Sequence, residues 1–154
     1  MGTTYLWANR PDDALSEVAK VLERDSLNPV ALAIQGYAYA MKGEFDKAIA
    51  VGERSAALLP PWRIFGGLTY AQAGRPDDTR RLIAVLEAPP NTAYRALMRA
   101  LFHGVLGNYD EAFRLLEQDP AHAWRPWVRN WPGLERLRSD PRFAALMRKF
   151  NLPT

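Results

Sequence analysis

Four short stretches of this chain repeat one pattern: Asn9-Arg10-Pro11-Asp12-Asp13-Ala14, Gly43-Glu44-Phe45-Asp46-Lys47-Ala48, Gly74-Arg75-Pro76-Asp77-Asp78-Thr79 and Gly107-Asn108-Tyr109-Asp110-Glu111-Ala112. They begin 34, 31 and 33 residues apart, the period of an array of helix-turn-helix units. That recurrence restricts the chain to an all-α repeat fold before any other residue is weighed. Each stretch reads as the turn between two antiparallel helices. A Gly or Asn supplies the left-handed residue that closes one helix, and the following Pro or Asp residues open the next, where a carboxylate favours the positive end of the helix dipole. The small residue that ends the pattern (Ala14, Ala48, Ala112) sits one turn into the second helix, where only a short side chain lets two helices approach closely.

A second pattern precedes the turns. Gly36 and Tyr39 stand seven and four residues before Gly43, Gly67 and Tyr70 before Gly74, and Gly2 and Tyr5 before Asn9, whereas the last unit has Ala100 and His103. A small residue followed three later by an aromatic places a close-contact notch and a plug on one helical face. With these residues the chain resembles the tetratricopeptide repeat family over roughly residues 2 to 119. The second repeat fits best, with Leu32, Gly36, Tyr39, Gly43, Phe45, Ala48 and Pro60 at the family's offsets. The third replaces its small residue with Thr79, and the first lacks most of its opening helix. The resemblance implies about three and a half repeats over residues 1–120, stacked as a right-handed superhelix, an α-α solenoid, with residues 121–154 as a Trp/Arg-rich linker and C-terminal capping helix.

The pattern predicts paired helices at about 11–24, 29–42, 45–58, 62–73, 76–87, 92–106 and 109–118, with no stretch alternating at period two long enough for a strand. Of the 154 residues 48% are hydrophobic, but no apolar run approaches the roughly 18 residues of a membrane span. The absence of cysteine excludes disulfides and thiolate chemistry. Met1 leads straight into repeat sequence without a basic stretch before an apolar core, so a cytoplasmic location is expected. A first helix starting at Gly2 without a preceding cap suggests the C-terminal piece of a longer protein.

Beyond Pro120 the register disappears. Residues 121–154 hold seven Arg or Lys against two acids, while residues 1–120 hold thirteen against fifteen. Such a basic tail, with Arg125, Arg129, Arg136, Arg138 and Arg142, suits contact with nucleic acid or an acidic membrane or, equally, the solvated face of a capping helix. The cap is favoured because Ser139-Asp140-Pro141 reads as a helix start, after which Phe143, Leu146, Met147 and Phe150 share one face. Leu137 to Phe143, followed by Asn151-Leu152-Pro153, also resembles the closing segment of tetratricopeptide regions at the C-terminus of bacterial signalling proteins. Trp124, Trp127 and Trp131 read as wedges for the tail rather than a stacking platform, because Pro126 and Pro132 interrupt the segment.

Residues capable of chemistry are sparse. His103 and His122 have no metal-ligand partner at useful spacing, Ser16, Ser26, Ser55 and Ser139 lack a nucleophile motif, and no phosphate-binding glycine loop occurs. The expectation is a chain without catalytic residues, cofactor or metal. The paired acids Asp12-Asp13 and Asp77-Asp78 are explained as helix starts.

What remains is the concave face, which the resemblance assigns to the first helix of each repeat: Val30, Ala33, Tyr37 and Ala40, then Ile64, Leu68 and Ala71, then Tyr94, Leu97 and Leu101. This expected groove is apolar. One subclass of the family clamps a peptide carboxylate with Lys, Arg and Asn; here Ala33, Ile34, Tyr37, Ile64, Phe65 and Leu68 hold those places, so a carboxylate would find no counter-charge. The groove suits an amphipathic helix or extended apolar segment from another protein, another copy, or the chain's own tail. The function expected is a protein-interaction scaffold in the C-terminal sensory or assembly region of a bacterial regulator. The alternatives are a small-molecule sensor, such as one that holds a sugar against Tyr37, Tyr94 and the tryptophans, and nucleic-acid contact through the basic tail.

Overall fold

A computed structural model describes residues 2–90, 92–118, 128–129, 131 and 133–152, apart from the side chains of Pro61 and Phe65. The described residues are helical with no strand, and the helices pack in sequence-adjacent pairs. The chain divides into two compact units, Met1–Gly74 and Arg75–Thr154.

The first unit begins with α1 (Gly2–Trp7), α2 (Pro11–Leu22), α3 (Pro29–Met41) and α4 (Phe45–Leu58). The turns follow from local chemistry. Asn9 at φ 56° and Gly43 at φ 76° are left-handed, and each lets the next amide reach back five residues: Arg10 N–H donates to the Tyr5 carbonyl at 2.8 Å and Glu44 N–H to the Tyr39 carbonyl at 2.9 Å. Asn28 caps α3, its side-chain oxygen accepting from the Ala31 amide at 3.0 Å, and Pro29 follows at the first helical position. Packed between α2 and α4, α3 is apolar nearly all the way round and buries Ala31, Leu32, Ala33, Tyr37, Ala38 and Ala40. The predicted notch is present at Gly36, where a Cβ would lie 3.3 Å from the Ala48 carbonyl oxygen and 3.6 Å from the Gly52 nitrogen.

One predicted helix is replaced by two shorter pieces. Residues 62–73 were expected as a single α-helix, but Pro60–Gly66 form a 3₁₀ segment and only Gly67–Gln72 are α-helical (α5). Pro60 and Pro61 cannot donate backbone hydrogen bonds, and the tighter i→i+3 pattern starts with the Trp62 amide on the Leu59 carbonyl at 2.9 Å.

The second unit holds α6 (Pro76–Glu87), α7 (Ala93–Val105), α8 (Tyr109–Leu116), α9 (Glu135–Arg138) and α10 (Pro141–Lys149). Gly107 turns α7 into α8 at φ 85°, with the Asn108 amide on the His103 carbonyl at 2.9 Å. The tail helices lie within this unit. Leu134 and Leu137 are buried, and a Cβ at Gly104 of α7 would meet Leu134 Cδ2 at 2.7 Å and Leu137 Cδ2 at 3.5 Å. Asp140 caps α10, accepting from the Arg142 amide at 2.9 Å, and Phe143, Leu146, Met147 and Phe150 are all buried. Arg142 also reaches Asp110 at 2.8 Å and lies 4.4 Å from the Phe113 ring centroid, tying α10 to α8. The two tail helices thus belong to the same compact unit as α6, α7 and α8.

Candidate functional site

The ten residues expected to line a groove are placed unevenly. Ala33, Tyr37, Ala40 and Leu68 are buried in the first unit, and Leu97 and Leu101 in the second. Packing against neighbouring helices uses their surface, which leaves little of it for a partner. Ile64, Ala71 and Tyr94 are half-buried, and Val30 is exposed. An aspartate at Leu68 or Leu97 would consequently report on folding rather than binding, since each would bury an uncompensated charge.

The signature residues serve the fold. Ala14, Ala48, Thr79 and Ala112 are buried at the helix pairings, and Tyr70 is buried, while Tyr39 is half-buried with Lys47 Nζ 5.5 Å from its ring centroid. Gly67 is buried at the start of α5, and Gly74 is left-handed at φ 76°.

Tyr37 lines a hollow of about 30 Å³, room for a single water, with Gly36, Gly52, Ser55, Trp62 and Thr69 among its walls. Tyr94 belongs to the other unit, and burial pushes its phenol up to about 12. Trp131 is buried; Trp124, Trp127, His122 and Arg125 lie outside the described residues. His103 is partly buried on α7, its Nδ1 3.4 Å from Asn108 Nδ2, and burial lowers its pKa below the ordinary 6.5. Among the described residues no group of three or more His, Cys, Asp or Glu is placed to hold a metal, and no helix is long and apolar enough to cross a membrane.

Polar ties that spacing alone did not reveal hold the turns. Arg10 Nε donates to Asp13 at 2.7 Å, and Arg75 Nε to Asp78 at the same distance, so the repeated Arg-Pro-Asp-Asp builds the same ion pair twice. Lys42 reaches Asp12 at 2.6 Å and joins the end of α3 to the start of α2. Arg95 on α7 covers the open end of α6, with Nε on the Leu86 carbonyl at 3.1 Å and Nη2 on the carbonyls of Ala88, at 2.8 Å, and Val85. The recurrence of Arg before Pro-Asp-Asp was a signal for the first of these ties; the Arg95 latch depends on tertiary placement and left none.

Three of the exposed large apolar side chains of the first unit lie between the end of α2 and the start of α3 in the sequence. Val21 near the end of α2 is 42% exposed, Leu27 in the following loop 59%, and Val30 in the first turn of α3 48%. Val21 and Val30 border a hollow of about 170 Å³ between α2 and α3, whose other walls are Gly2, Val18, Ala31 and Ile34, with Glu17 and Asn28 as its polar members. Glu17 is already paired with Lys20 at 2.6 Å, so the hollow offers no free charge to a ligand. What this surface can do chemically is bury an apolar side chain.

A comparison with curated proteins returned no match. Residues 1–61, spanning α1 to α4, match the family model of the tetratricopeptide repeat, and this part of the chain is therefore similar to repeats that generally mediate contact between proteins.

Proposed function

We propose that the chain is a non-catalytic protein-interaction scaffold that binds an apolar helix or extended segment. The observation that carries this reading is the pair of exposed side chains Val21 and Val30 bordering a mostly apolar hollow in the region that matches the tetratricopeptide repeat. Large apolar side chains grouped at one edge of a folded unit mark a contact surface, because burying them is worth roughly 25 cal/mol per Å² before association costs. Of the expected groove, Val30 is the exposed member, and Ile64, Ala71 and Tyr94 keep part of their surface. The chain acts in this reading as the C-terminal sensory or assembly region of a bacterial regulator in the cytoplasm. Residues 134–150 serve as its cap, a role supported by Leu134 against Gly104 and Arg142 against Asp110 and Phe113. Affinity capture with the purified chain tests the reading: an interaction scaffold retains a defined polypeptide through high-salt washing, whereas an equal background on an unrelated helical protein would count against it.

A further inference from the structure

We infer that the hollow walled by Ala33, Tyr37, Gly52, Ser55, Trp62 and Thr69 is a binding site for a small uncharged ligand group, a branched aliphatic end that carries one hydroxyl or carbonyl. The internal repeat carries the argument. Nine residues after the turn residues Asn9, Gly74 and Gly107 stand Val18, Ile83 and Leu116, aliphatic side chains buried to 3%, 7% and 2% exposure. Nine residues after Gly43 stands Gly52. Close packing does not require this glycine. A Cβ at Gly52 would meet nothing within 4 Å, so even Trp62, the largest side chain of the wall, stands clear of it, whereas a Cβ at Gly36 would lie 3.3 Å from the Ala48 carbonyl oxygen. Glycine inside a helix such as α4 costs stability relative to alanine, and no contact at Gly52 offsets that cost.

The space left beside Gly52, about 30 Å³, admits a methyl group, with the rest of the ligand held at the open side of the hollow. The walls set the chemistry of the occupant. In the other three units the equivalent place is filled by an aliphatic side chain, and none of the described residues that line the hollow is charged. The two hydroxyls in the wall differ in their engagement. Ser55 Oγ donates to the Pro29 carbonyl at 2.9 Å. Thr69 is 5% exposed and makes no side-chain hydrogen bond among the described residues, so its hydroxyl is available to one polar atom of the ligand.

The test titrates isopropanol, a branched aliphatic group with one hydroxyl, into the full isotope-labelled chain and follows amide shifts. Saturable shifts confined to residues 33–37, 52–55 and 66–69 are expected. Gly52→Ala places a methyl in the hollow, so it should raise the urea midpoint and weaken binding about tenfold, and Thr69→Val should weaken binding with circular dichroism unchanged. Shifts that grow without saturating, or binding indifferent to Gly52→Ala, overturn the site. A lower urea midpoint for Gly52→Ala also overturns it, because the glycine is then needed for packing. With the site upheld, a polypeptide captured by the unmodified chain and lost with Gly52→Ala assigns the ligand group to a partner's side chain, and capture that survives Gly52→Ala assigns it to a free small molecule. Absence of any capture overturns the interaction reading alone, since the isopropanol titration judges the hollow independently.

Discussion

Gly36 shows how a single missing methyl group sets a helix pairing. Its hydrogen faces the backbone of α4, which cannot yield as a flexible side chain can, so Gly36→Leu should cost roughly 1 to 3 kcal/mol or more, read from urea unfolding. The turn residues act through φ instead, since Asn9, Gly43, Gly74 and Gly107 all lie at positive φ. His103 brings a pH dependence. Burial holds its pKa below 6.5, so the folded state binds the proton less readily than the unfolded chain. Stability from this group is complete above about 6.5 and is lost as the pH falls from there through the lowered folded value. Thermal unfolding should therefore soften on mild acidification, and His103→Gln should flatten that slope. Glycine, asparagine and alanine positions were legible in the sequence because each occupies a recurring place; the burial of Leu68, Leu97 and Leu101 was not, because periodicity finds the apolar face of a helix without saying what covers it.

At the scale of elements, the sequence fixes starts better than interiors. Six of the predicted helices lie within two residues of their observed bounds, since Pro, Asp, Asn and Gly act locally. The exception, 62–73, fails where Pro60 and Pro61 force the tighter 3₁₀ pattern. The cap of α10 at Asp140 is as predicted, and the hydrogen bonds from Arg142 hold that carboxyl down at about 2, so the charged cap persists well into acid. Removing residues 134–154 should expose Gly104 and the Phe113 ring, lower the unfolding temperature and promote aggregation; size-exclusion chromatography of the truncated chain checks this. An equally stable, monomeric product would show that α9 and α10 do not act as a cap.

At the scale of the molecule, the charge split between body and tail loses much of its meaning once partners are seen. Arg138 pairs with Glu135 at 3.1 Å and the Trp131 carbonyl at 2.9 Å, and Arg142 with Asp110 and Asp140, both at 2.8 Å. Oligonucleotide titrations should accordingly find nothing tighter than the ordinary non-specific electrostatic range of roughly 10⁻⁴ to 10⁻⁶ M, and an affinity clearly tighter than that at physiological salt would speak for the nucleic-acid alternative. The sequence by itself determined the helix-turn-helix period, the left-handed turns and the apolar face of the last helix, because turn chemistry and 3.6-residue periodicity act over neighbours in the chain. Only the tertiary structure decided which apolar residues remain in solvent. Val21 and Ser55 share one repeat position, and the sequence alone would rank the valine as the more buried; the packing of the start of α3 over Ser55 buries the serine to 2% exposure, while Val21 is 42% exposed.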